Sequence, residues 1–201
     1  MLTIAIWMLV FAVIHSITAD KRVKGWFAQS FGERTYEGFY RLIYNIIALI
    51  SIAPLFLYMW SIATVLYRVP NWLIPIFAAI QLIGSIGLVV AVIQIDWARF
   101  IGLKQLIAYF TGADLPLKEE PLQLKGLFAY VRHPLYFFSL LSLWFSPVMT
   151  TSAFLFNIAA TVYFVVGSRI EEGRMIDAYG ELYENYRQRV PWLIPFFPRK
   201  S

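Results

Sequence analysis

The sequence predicts an all-α polytopic membrane protein with about five transmembrane helices, the last two forming a tight hairpin that leads into a cytoplasmic C-terminal helix. Composition comes first: 60% of the residues are hydrophobic, 14% are charged, and the mean hydropathy is +0.65. A soluble domain carries about 25% charged residues, so this chain has too little polar surface to face water. That excludes an ordinary soluble enzyme, a disordered chain and a nucleic-acid binder, despite a sequence pI of 9.5. The second observation is a set of long charge-free runs. The third is that nearly all the charge falls on one side of them.

A spanning helix needs about 20 mostly apolar residues. Met1–Ala19 carries no charge and makes span one. It has no basic stretch at its start and is followed by Asp20-Lys21-Arg22, so it is read as a retained span rather than a signal peptide. Leu42–Tyr67 makes span two. Val69–Ile95, opened by Pro70 and Asn71, makes span three. The run His133–Ser168 would be about 54 Å long as one helix, against a hydrocarbon core of about 30 Å. It must fold into two spans, with a turn near Thr150-Thr151-Ser152, after Pro147.

Sorting charge by span gives a topology. Of 17 Lys and Arg, 16 lie between spans one and two, between spans three and four, or after span five, and only Arg68 lies on the other side. All 12 Asp and Glu share the Arg-rich side. The positive-inside rule makes that side cytoplasmic, with the N-terminus outside and the C-terminus inside. A bacterial inner membrane is the expected location. Chemistry that needs charged groups is confined to the cytoplasmic face.

The 201 residues are read as one membrane domain: three N-terminal spans over 1–95, a cytoplasmic loop over 96–132, the hairpin over 133–168, and a C-terminal helix and tail over 169–201. Within the first loop, Val23–Phe27 reads as an interfacial amphipathic stretch with Trp26, Phe27 and Tyr36 at headgroup level. Trp97–Phe110 alternates apolar and basic residues and is expected along or into the membrane surface. Thr111–Lys125, with two prolines and Glu119-Glu120, reads as irregular chain. Arg169–Arg189 shows no break before Pro191, so span five is expected to continue as helix into the cytoplasm.

Five constellations are candidates for chemistry. Arg132-His133-Pro134-Leu135-Tyr136 opens span four. Proline suits a first helical turn, and a helix N-terminus with two basic neighbours suits a carboxylate or phosphate. The same residues also serve as a simple cationic flank and helix starter. Arg169-Ile170-Glu171-Glu172 closes span five. One carboxylate there suits a cationic ligand group, or the pair forms a solvated face neutralised by Arg169 and Arg174. Tyr179, Tyr183 and Tyr186 recur at helical spacing, as a packing stripe or as a wall for a flat ligand. His15-Ser16 ends span one, and Gln94, Asp96 and Arg99 lie at the inner end of span three. With no cysteine and only two histidines, no metal centre is expected. The hairpin brings the basic and acidic constellations side by side at one membrane surface, a fit for a zwitterionic, amino-acid-like cofactor.

The C-terminal half resembles the integral membrane methyltransferases related to isoprenylcysteine carboxyl methyltransferase. The resemblance rests on Gly126, on Arg132-His133-Pro134-Leu135-Tyr136, and on Arg169-Ile170-Glu171-Glu172 followed by Tyr179-Gly180, Tyr183, Tyr186 and Arg189-Val190-Pro191. Within that superfamily the likeness is to the methanethiol S-methyltransferase and NnrU-like branch. It is carried by His15-Ser16, Glu33-Arg34-Thr35-Tyr36, Gly102-Leu103-Lys104-Gln105 and Trp144–Thr150.

The resemblance implies a cytoplasm-facing site for S-adenosylmethionine. It implies cofactor contacts from Gly126, Arg132, His133, Pro134, Leu135, Tyr136, Glu171, Glu172 and Tyr183, with Arg169 near the substrate. The 96–132 segment becomes the cofactor loop. The family usually has glycine two residues after the motif tyrosine. Phe138 stands there, and it is expected to narrow the pocket. Where the isoprenylcysteine enzymes carry a histidine-containing stretch, this chain has Glu120-Pro121-Leu122-Gln123, which points away from a prenyl-cysteine substrate. The sterol C14-reductases share the Arg-His-Pro-x-Tyr pattern but bind a phosphate cofactor, which Glu171-Glu172 would repel.

The implied reaction is methyl transfer from a sulfonium to a lipophilic nucleophile, driven mainly by positioning. A thiol acceptor must lose a proton of pKa about 8.5, and His133 or Arg169 is the group expected to favour the thiolate. Three readings follow. One is a methyltransferase for a small or lipophilic thiol. Another is a methyltransferase for a prenyl-cysteine carboxylate or a phospholipid amine. The third is a non-enzymatic membrane protein of NnrU type. The expected partners are the lipid bilayer and a small lipophilic substrate.

Overall fold

The structure is a computed structural model that describes residues 2–61, 64–118 and 120–195. Glu119 of the predicted acidic pair, Arg199 and Lys200 of the tail, and the first residue of span one lie outside the described residues. The described elements run α1 (Leu2–Ala19), α2 (Lys21–Phe31), α3 (Glu33–Ser61), β1 (Val65–Arg68), α4 (Ile74–Gln94), α5 (Trp97–Ile101), α6 (Leu103–Thr111), α7 (Pro134–Trp144), β2 (Val148–Thr150), α8 (Thr151–Tyr179) and α9 (Glu181–Arg189). Short 3-10 turns occupy Asn71–Leu73 and Gly126–Ala129. This is the expected all-α polytopic membrane fold. Four helical stretches, Leu2–Ala19, Glu33–Ser61, Asn71–Gln94 and Thr151–Tyr179, are long and apolar enough to cross a bilayer, and Pro134–Trp144 is a shorter apolar helix.

The chain forms two compact units. One comprises Met1–Ala63 and Asp96–Glu120, the other Thr64–Ile95 and Pro121–Ser201. In the first, α1 packs on α3. The Tyr40 hydroxyl donates to the Thr18 carbonyl at 2.7 Å. His15 lies 2.6 Å, Nε2 to oxygen, from the Tyr44 hydroxyl and stacks on Phe11, so its ring is absorbed in helix packing. The expected interfacial stretch is part of α2. Asp20 caps that helix by accepting from Arg22 N, and Trp26 stays exposed. The Trp97–Phe110 stretch is helical but broken at Gly102. There φ is +97° and an added Cβ would lie 2.6 Å from the Leu42 backbone nitrogen, so only glycine fits. Asp96 caps α5 through Arg99 N at 3.1 Å and pairs with Lys104. The Arg99 side chain donates to the Leu117 and Lys118 carbonyls.

In the second unit, β1 pairs antiparallel with β2, and α4 packs closely on α7. A Cβ at Gly84 would lie 2.8 Å from the Ser142 backbone nitrogen, and one at Gly87 would lie 2.2 Å from the Phe138 ring. Small residues permit such close approach in apolar surroundings. The expected fourth span takes an unexpected form. α7 has 11 residues, about 16 Å at 1.5 Å each, too short to cross alone. Pro147 disfavours helix before it, and the chain runs on through β2 into α8. The carbonyls freed at the end of α7 are satisfied locally. Gln81 donates to Ser142 O at 3.0 Å and the buried Asn157 to Leu143 O at 2.8 Å. Backbone groups at this depth require such partners.

The predicted turn stands where expected. Thr150 caps α8 by accepting from Ala153 N at 3.1 Å. α8 then spans 29 residues, about 44 Å. It carries Glu171 and Glu172 roughly 32 Å from its start, so β1–β2 and the acidic pair sit at opposite ends. One expectation fails: the C-terminal helix is not continuous to Pro191. Gly180 adopts φ +53° and ends α8, its N–H returning to Ile176 O at 2.8 Å. A new helix, α9, starts beyond it.

Candidate functional site

Pro134 occupies the first turn of α7, with His133 as its N-cap residue. That places Arg132 and His133 at the helix mouth, where free N–H groups gather. The preceding segment is fixed from behind. Gly126 at φ +63° turns the chain against Gln94, whose side-chain oxygen accepts from Leu127 N at 2.9 Å. The Tyr186 hydroxyl donates to Phe128 O at 2.6 Å, and Arg132 N donates to Pro191 O at 2.9 Å.

The hairpin brings the basic and acidic constellations together. Arg132 Nη1 lies 3.0 Å from Glu172 Oε1, both side chains almost wholly buried. The His133 ring bridges the two carboxylates, with Nε2 3.4 Å from Glu172 and Nδ1 3.5 Å from Glu171. The Tyr136 hydroxyl donates to Glu171 Oε2 at 3.1 Å. The Glu171 side chain remains 42% exposed, so it is the carboxylate that a ligand can reach. Burial alone would lower the pKa of His133, but hydrogen bonds and charge from Glu171 and Glu172 override it and raise the group above its ordinary 6.5.

The ring of Tyr136 lies nearly parallel to those of His133, at 5.4 Å, and Phe164, at 4.8 Å. Its hydroxyl edge is the part that faces Glu171. Leu135 is half-buried beside it and Pro134 is fully buried. Tyr183 is 3% exposed and packs with Tyr186, Val190, Leu122, Leu124, Met175, Ile176 and Tyr179. Burial, first, and the charge of Glu172 push its hydroxyl up to about 12. Its ring is packed inside this cluster and is not an open wall.

Two pairings differ from expectation. Glu172 is neutralised by Arg132 and His133 rather than by Arg169 or Arg174. Arg169 is exposed, its guanidinium 3.8 Å from the ring centroid of Trp192. The Trp192 indole N–H donates to the fully buried Ser168 at 3.2 Å. Trp192 and Phe164 were not foreseen. The only sequence signals for them are an aromatic after Pro191 and one in the apolar run seven residues before Glu171. Phe138 does not narrow the site, because its ring fills the space beside Gly87 of α4. Of Gln94, Asp96 and Arg99, the first buttresses the Gly126 turn, while the other two belong to the unit containing α5. Among the described residues, no group of three or more His, Cys, Asp or Glu is placed to hold a metal ion.

The profile of the NnrU protein family matches residues 3–146. The chain belongs to the NnrU family. This NnrU-family chain is also 30% identical over 198 residues to methanethiol S-methyltransferase of Crocosphaera subtropica, covering 96% of this chain and 73% of that protein. It is 32% identical over 194 residues to methanethiol S-methyltransferase of Pseudomonas sp. (strain GM41(2012)), covering 95% and 72%. Nurim of Rattus norvegicus is 27% identical over 164 residues, covering 78% and 60%. No solved structure matches. The NnrU match ends before α8, whereas the similarity to the methyltransferases runs through Glu171 and Glu172. These relatives belong to the branch suggested by His15-Ser16, Glu33-Arg34-Thr35-Tyr36, Gly102-Leu103-Lys104-Gln105 and Trp144–Thr150.

Proposed function

We propose that this integral membrane protein is an S-adenosylmethionine-dependent methyltransferase acting on a small or lipophilic thiol at the cytoplasmic face. The observation that carries this reading is the half-exposed Glu171 carboxylate, held by Tyr136 beside the buried Arg132–Glu172 pair. The donor set fits the cofactor's amino-acid portion. An ammonium group suits Glu171, and a carboxylate suits the N–H groups at the mouth of α7, next to Arg132 and His133.

Bound S-adenosylmethionine would supply a methyl group already activated on a sulfonium. The residues of this chain would hold and orient it. Arg132, His133, Pro134, Leu135, Tyr136, Glu171 and Glu172 form the contact set, while Gly126 and Tyr183 set its backing. Arg169, kept in place by Trp192, would favour the thiolate form of the acceptor. The apolar helices would deliver a lipophilic thiol from the bilayer, and the burial around Arg132 would limit water. The methanethiol S-methyltransferase relatives support the thiol over a prenyl-cysteine or phospholipid acceptor.

The test uses the full chain in detergent or nanodiscs. Calorimetry with S-adenosylmethionine should show saturable binding. Methyl transfer should then appear with methanethiol, and not with prenyl-cysteine or phosphatidylethanolamine. Folded protein that does not bind S-adenosylmethionine would overturn the enzymatic reading in favour of a non-enzymatic role. Turnover confined to another acceptor would overturn the thiol assignment.

A further inference from the structure

Both ring nitrogens of His133 face carboxylate oxygens, Nδ1 toward Glu171 at 3.5 Å and Nε2 toward Glu172 at 3.4 Å. A neutral imidazole has one N–H and one lone pair. In this setting the lone pair would point at a carboxylate. Only the imidazolium donates on both sides. The groups around the ring are Glu171 and Glu172 from α8, Arg132 on the same oxygen of Glu172, Tyr136 stacked on its face, and Tyr183 from α9 beside the Arg132–Glu172 pair. With His133 protonated, two cations balance two carboxylates and the cluster is neutral. Partial burial makes any other count costly.

A cationic ligand group arriving at Glu171 would compete with the imidazolium for the same carboxylate. The imidazolium already occupies one side of the carboxylate that the ligand needs, so two cations would crowd one partner. Loss of the imidazolium proton relieves that like-charge contact. We propose that His133 sits in the site as an imidazolium clamp on Glu171 and Glu172, and that a cationic ligand group binding at Glu171 displaces it and releases its proton to solvent. His133 is then a positioning residue for Glu171 and a competitor for the ligand's place, not the base that takes the acceptor thiol's proton. This rests on the reading of Glu171 as the carboxylate that binds a ligand cation.

The chain has two histidines, His15 and His133, so nitrogen NMR of the full-length protein labelled at histidine resolves both. The resonance missing from His133→Gln should show both ring nitrogens protonated at pH 6.5 and titrate above that value. Saturating S-adenosylmethionine should move the midpoint down by on the order of one unit. Calorimetry in buffers of different ionisation heat should show proton release near neutral pH for the wild type, and whatever binding heat His133→Gln retains should not depend on the buffer. A neutral His133 tautomer at pH 6.5 in the free protein would overturn the clamp. Binding with no change in midpoint and no buffer dependence would overturn the coupling. If S-adenosylmethionine gives no binding heat, the cofactor reading and the coupling fail together, while the free-state titration still decides the charge of His133.

Discussion

Phe138 fills the space that Gly87 leaves open: a Cβ at position 87 would lie 2.2 Å from the Phe138 ring. The two meet in the α4–α7 contact, which holds the site-bearing helix against α4. Gly87→Ala should therefore cost about 1–3 kcal/mol through overpacking. Phe138→Leu in the same chain should recover part of the loss. Thermal unfolding of the single and double variants checks this, and additive effects would mean the two positions are not coupled.

Arg132 and Glu172 are each almost fully buried and face each other at 3.0 Å. Removing one partner leaves the other charge buried. Arg132→Leu should destabilise by about 3–5 kcal/mol, and Arg132→Leu with Glu172→Leu should be markedly milder than the sum. Chemical denaturation in detergent measures both. A single variant as stable as the wild type would contradict the burial of this pair.

The charge of His133 makes stability depend on pH in a definite direction. Its folded pKa lies above the ordinary 6.5, because the bonds and charges of Glu171 and Glu172 outweigh burial. A group of this kind stabilises the folded state fully below 6.5. The contribution is lost as pH rises through the folded value. The unfolding temperature should fall over that interval, and His133→Gln should flatten the fall. A slope of opposite sign would place the neutral ring in the folded protein.

Asn157 is 2% exposed and donates to the Leu143 carbonyl freed at the end of α7. Asn157→Leu leaves that carbonyl without its donor in an apolar setting, which costs roughly 1–3 kcal/mol. Asn157→Asp should be worse, since it adds a buried charge. Both are read by thermal unfolding.

The long helices were legible because charge-free runs of spanning length have few alternative uses. The meeting of Arg132–Tyr136 with Glu171 and Glu172 was legible because a charge-free run too long for one crossing must fold back on itself. Other features needed tertiary information. The break at Gly180 sits inside a pattern that still reads as helical, and only the positive φ reveals it. The end of α7 at Trp144 depends on Gln81 and Asn157 accepting the role of backbone partners from two other helices. Trp192 lies against Arg169 in a tail tied down by the Arg132–Pro191 backbone bond and the Trp192–Ser168 bond. The expectation for Phe138 failed because its ring turns toward Gly87, a position 51 residues earlier in the chain.

The central claim is tested most directly by following a labelled methyl group from S-adenosylmethionine to methanethiol with purified full-length protein, wild type beside Glu171→Gln. The wild type should yield labelled dimethyl sulfide. The variant, which loses a charge-assisted contact of about 1.5–3 kcal/mol, should lose about 10- to 100-fold in kcat/KM. No labelled product from folded wild type, or full activity in Glu171→Gln, would contradict it.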